Sequence, residues 1–133
     1  MTTSESSVPE LDGLELARRC VDLALDKKAL DPVILDLREI STITDYLVIC
    51  SAQSDPQLKA IANGVVKTLK DDFDRKPHAV DGFPVSQWIV VDYGDVMLHI
   101  FHEGKRGVYA LEDLWNDAKK VKLPQAALWV IRD

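Results

Sequence analysis

Four aspartates (Asp36, Asp45, Asp92 and Asp95) and the pair His99 and His102 are the side chains that could hold a metal or move a proton. Nucleotidyl transfer needs closely placed carboxylates that hold Mg²⁺ against phosphates. Such enzymes show a Gly-Ser loop followed by two aspartates one residue apart. Asp92 and Asp95 are three apart, at a turn, and no Gly-Ser loop precedes them. No glycine-rich phosphate cradle occurs elsewhere in the sequence. The aspartates therefore read as turn and cap residues. His99 and His102 stand at an odd spacing, which on a strand sends them to opposite faces, and no third ligand follows at metal spacing. Cys20 and Cys50 fall in a helix pattern and a strand pattern, and read as small buried apolar groups. The residues thus lead us to expect no enzyme, no cofactor and no metal.

Recognition chemistry is the stronger reading. The stretch from Trp88 to Phe101, WIVVDYGDVMLHIF, holds two apolar runs around Gly94-Asp95. That dipeptide suits a two-residue hairpin turn with glycine at the first central position. The resulting register opposes Tyr93 to Val96, Val91 to Leu98 and Ile89 to Ile100, all apolar or aromatic and all on one side. The other side pairs Asp92 with Met97, Val90 with His99 and Trp88 with Phe101. One side is a core face. The second mixes large aromatics with a carboxylate and an imidazole, either as core beneath a helix or as an interface, where a few Trp, Tyr and Arg anchors dominate binding.

The elements that must position this hairpin are legible. Leu14, Ala17, Val21, Ala24 and Leu25 recur at helical spacing between Leu11 and Leu30, with Pro32 as the stop. Val33–Leu37 and Tyr46–Ser51 are short apolar runs, the second rich in β-branched and aromatic residues. Ser54-Asp55-Pro56 opens a second helix with stripe residues Leu58, Ile61, Ala62, Val65 and Leu69, ending near Asp72. A short strand is expected around Ala79-Val80. Gly104–Tyr109 reads as a turn leading into a strand or extended segment, and Leu111–Lys119 as a short helix. An ion pair between Arg106 and Glu112 is possible in that region. The fold class expected is α/β: a single domain with a mixed β-sheet and helices packed on it. Residues 1–10 read as a flexible tail, 11–122 as the domain, and 123–133 as a C-terminal tail with an apolar end, Leu128–Ile131.

The chain carries 16 Lys and Arg against 22 Asp and Glu, a formal charge of -6. Wide nucleic-acid contact rests on neutralising phosphates with Lys and Arg, so this balance points to a protein partner. The local basic concentration, Lys105, Arg106, Lys119, Lys120 and Lys122, could at most graze RNA at the edge of such a footprint. No apolar run approaches the about 20 residues that span a bilayer. The opening residues lack a secretory or transit pattern, so the expected location is the cytoplasm.

Taken in order, LDL at Leu35–Leu37, ITDYLVICSA from Ile43 to Ala52, LKAIANGV in the second helix, QWIVVDYGDVMLHIF from Gln87 to Phe101, RGVY from Arg106 to Tyr109 and LEDLW from Leu111 to Trp115 resemble the Iojap-like ribosomal silencing factors. The resemblance spans roughly two-thirds of the chain and departs at Ala52, where the family commonly carries glycine. It implies a nucleotidyltransferase-like α/β topology and a large-ribosomal-subunit partner, ribosomal protein L-fourteen. Binding there would block subunit joining and repress translation, or serve large-subunit assembly. It also implies a homodimer when free. Its partner-contacting surface maps onto Trp88, Tyr93 and Phe101, with Asp92, His99 and Arg106 in support.

Overall fold

A computed structural model describes residues 11–83 and 87–123. The apolar end at Leu128–Ile131 and the N-terminal tail lie outside these residues. Helix α1 (Gly13–Asp26) starts at Asp12, whose carboxylate accepts from the Glu15 N–H while Glu15 reaches back to the Asp12 N–H. This reciprocal capping box satisfies two backbone donors that a helix start leaves over. The helix buries Leu16, Ala17, Cys20, Val21 and Ala24 on one face. It ends at Asp26, earlier than Pro32 alone suggests, because the chain turns through left-handed Lys28 at φ 66°.

Pro32 instead lies within strand β1 (Leu30–Asp36). The pairing with β2 (Tyr46–Ala52) slips between Leu30 and Val33, and Asp31 adopts φ 49°. A bulge is where a strand tolerates proline, which has no N–H to give the ladder. Every residue of β2 is buried, as a central strand covered on both faces requires. Ser54 then caps α2 (Asp55–Phe73), with proline in its first turn. Strands β3 (Ala79–Phe83), β4 (Trp88–Asp92) and β5 (Val96–His102) follow.

The sheet order is β3-β4-β5-β2-β1-β6, where β6 is Lys119–Lys120. β2 and β5 run parallel, and the other pairings are antiparallel. The fold is thus a single α/β domain with a mixed sheet, as the element order predicts. Its β4–β5 register matches the expected one pair by pair, from Trp88 with Phe101 to Asp92 with Met97.

The two faces of the sheet have different covers. Helices α1 and α2 pack on one, making the main core with Ile34, Val48, Val91, Leu98 and Ile100. Leu123, which the sequence places in the C-terminal tail, is buried in this core. On the other face a smaller cluster joins Leu35, Leu37, Leu47, Ile49 and Phe101 to Leu111, Trp115 and Ala118.

The second cover differs from the sequence expectation. Glu103–Tyr109 is a helix, α3, not an extended segment. The helix expected at Leu111–Lys119 shrinks to one turn, α4 (Leu111–Leu114), and the chain then forms the β6 edge strand. With Gly104, Gly107 and Val108, α3 is a poor helix by propensity, each glycine costing about 1 kcal/mol against alanine. It forms because His102 Nδ1 accepts from the Gly104 N–H at 3.1 Å and Arg106 is tied to the sheet. Tertiary contacts override local preference here.

Candidate interaction face

The α3–α4 segment covers the β1–β2 half of the second face. The half formed by β4 and β5 keeps partial exposure at Trp88, Val90, Asp92 and Met97. Trp88 is the centre of this half. Its ring stacks on Phe101 with centroids 4.9 Å apart and planes at 24°. It also lies 5.7 Å from the His99 ring, and its indole N–H donates to His99 Nδ1 at 3.0 Å. The tryptophan is therefore oriented by both its apolar body and its polar edge, a suitable state for a binding anchor.

His99 is only 7% exposed, and burial pushes its pKa down to about 4, against a smaller opposing pull from Asp92. The ring is neutral near pH 7, and a neutral Nδ1 without a proton is what the indole bond requires. Asp92 accepts the Gly94 N–H at 2.7 Å, closing the hairpin turn. Gly94 has φ +89°, and a Cβ there would approach His78 Cε1 to 2.9 Å, so the position needs glycine for backbone and space alike.

The structure separates the other residues that the resemblance maps to a contact surface. Phe101 is fully buried beneath Trp88 and the α3–α4 cover. Tyr93 lies on the opposite face, in the main core, with its hydroxyl buried and unpartnered. Alternation along the strand dictates this, since Tyr93 and Asp92 must point to opposite sides. Arg106 sits at the far end of β2 with its side chain 13% exposed. It donates to both Glu112 carboxylate oxygens, at 2.8 and 3.1 Å, to the Asp31 carbonyl at 2.7 Å and to the Ser51 hydroxyl at 3.0 Å. Trp88, His99 and Phe101 thus form one aromatic group, Asp92 flanks it, and Tyr93 and Arg106 stand apart. Val90 and Met97 complete the accessible half, as the period-2 pattern of the hairpin places them.

Asp36, Asp92 and Asp95, three of the four aspartates that could have carried catalysis, have structural partners, Asp92 at the Gly94 N–H. Asp36 accepts from Arg38 at 2.9 and 2.8 Å, which holds its carboxyl below the usual range. Asp95 pairs with Arg75 at 2.7 Å. Among the described residues no three of His, Cys, Asp and Glu gather as a metal site. Cys20 and Cys50 are both buried, and burial pushes each thiol up to about 12, far from a reactive thiolate. No helix among the described residues is long and apolar enough to cross a membrane.

Comparison with known proteins agrees with this architecture. The family model described as ribosomal silencing factor during starvation matches residues 10–131. Ribosomal silencing factor RsfS of Bacillus subtilis is 42% identical over 93 residues, which span 70% of this chain and 78% of that protein. RsfS of Halalkalibacterium halodurans is 38% identical over 110 residues, spanning 83% and 91% respectively. The crystal structure of a Chromobacterium violaceum protein superposes with a TM-score of 0.75 at 26% identity, covering 85% of this chain and 92% of that one. Matched along most of its length in sequence and in fold, the chain belongs to the ribosomal silencing factor family.

Proposed function

We propose that this chain is a non-enzymatic repressor of translation in the cytoplasm that docks on ribosomal protein L-fourteen of the large ribosomal subunit and sterically blocks joining of the small subunit. The observation that supports it best is the half-covered sheet face centred on Trp88, rigidly backed by His99 and Phe101, in a chain of this family. Trp88 and Asp92, with Val90 and Met97, are the partner-facing residues in this reading. His99 and Phe101 fix the anchor from beneath. Tyr93 and Arg106 act within the fold. A protein-centred dock also suits an acidic chain, with any contact to ribosomal RNA confined to the rim. The free protein is a homodimer in this reading. Blocking needs occupancy alone, with no turnover and no cofactor.

Purified protein sedimented with isolated large subunits tests the dock, and light scattering on adding small subunits tests the block. Trp88→Ala should weaken co-sedimentation about tenfold or more, as truncating an interface anchor does. Unchanged binding by that variant would remove Trp88 from the dock. Retention of a different ribosomal protein after nuclease treatment would remove ribosomal protein L-fourteen.

A further inference from the structure

The α3–α4 segment, residues 103–118, has little of its own to hold it in place. Helix α3 is glycine-rich, α4 is a single turn, and Leu114 is 71% exposed. Among the described side chains of the segment, Arg106 makes the polar bonds that reach the sheet, and it joins three parts of the molecule. One is Glu112 in α4, through a two-pronged ion pair. Another is the hydroxyl of Ser51, a buried polar residue in an otherwise apolar β2. The third is the Asp31 carbonyl. That carbonyl belongs to the β1 bulge, where Asp31 takes φ 49° and falls outside the register with β2. A left-handed, non-glycine residue costs about 1 kcal/mol or more, and such strain persists where the surroundings hold it. The bulge, the buried hydroxyl and the weak helix all converge on one guanidinium.

The segment is also continuous with the proposed anchor. Leu111 and Trp115 share one apolar cluster with Phe101, and Trp88 packs on that cluster from the open side. Phe101 is therefore held between the cover and the ring of Trp88.

We propose that Arg106 is an internal latch: it pins residues 103–118 to the Asp31 bulge and to Ser51, and through Phe101 it fixes the pose of Trp88. Arg106 is thus a positioning residue that acts at a distance from the partner. The latch is a property of the free protein. Its consequence for docking rests on the reading under Proposed function.

The test uses the full chain with Trp115→Phe and Trp129→Phe, leaving Trp88 as the sole tryptophan of the three. Amide exchange of residues 105–118 and iodide quenching of Trp88 are measured for this parent, Glu112→Gln, Arg106→Lys and Arg106→Ala. Losing a charge-assisted bond should speed exchange in the segment about tenfold in Glu112→Gln, with Trp88 more strongly quenched and α2 exchange unchanged. Arg106→Lys should behave like Glu112→Gln, because an ammonium keeps the charge and loses the fork. Arg106→Ala should show the largest effect, and if it fails to fold the two milder variants decide. Parent-like exchange and quenching in both would overturn the latch, as would an equal rise in α2. Binding to large subunits is scored separately. If Trp88→Ala binds normally while the latch variants still loosen residues 105–118, Trp88 is removed from the dock and the latch stands.

Discussion

Trp88 and His99 lie diagonally across the β4–β5 pair, and the indole N–H of one donates to Nδ1 of the other at 3.0 Å. This bond ties the charge state of a buried imidazole to the orientation of an exposed-edge aromatic. Protonated His99 has no lone pair at Nδ1 to accept it.

Stability should therefore fall as the solution is acidified. His99 has a pKa near 4 in the folded chain against 6.5 as a free group. The unfolded chain takes up the proton first, so the loss begins near the unfolded value and is complete only below the folded one. Linkage gives about 2 kcal/mol lost between about pH 7 and about pH 5. Urea unfolding across that window checks it. His99→Gln should remove most of this dependence.

Phe101→Ala should cost about 3–5 kcal/mol, the usual range for emptying a buried phenylalanine site. The residue is fully buried and carries Trp88 on one side and the α3–α4 cover on the other. Chemical denaturation gives the number. Trp88 emission should also shift to the red, because its stacking partner is gone.

Tyr93→Phe should leave stability unchanged or raise it by about 1 kcal/mol, since it removes a buried hydroxyl with no partner. The ring itself stays packed in the core, near the Arg75 guanidinium. A rise or no change in Tm supports this. A loss above about 1 kcal/mol would mean that the hydroxyl makes a bond in solution.

Gly94→Ala should destabilise by more than about 1 kcal/mol, the cost of placing an L side chain at positive φ. The added methyl also meets His78. His78→Ala should recover the steric part and leave the backbone part. The comparison of Gly94→Ala alone and in the His78→Ala background, by thermal unfolding, separates the two.

The sequence by itself determined the hairpin, the two long helices and the division of the hairpin into two faces. Alternation has a period of two residues and helical stripes one of 3.6, so these patterns are local and need no partner to be read. The same alternation places Tyr93 opposite Asp92, on the core face. Tertiary structure alone decided how much of the second face stays open. That depended on residues 103–118, whose glycines and Val108 argue against a helix locally. Arg106 overcomes them with bonds to Asp31 and Ser51, which lie 75 and 55 residues away in sequence. Lys119 and Lys120 stay exposed, as a solvated basic run does, but only the fold brings their backbone beside Asp36 and Leu35 at the sheet edge. Contacts at such separations leave no periodic trace in the chain, because each depends on where the rest of the fold brings its partner.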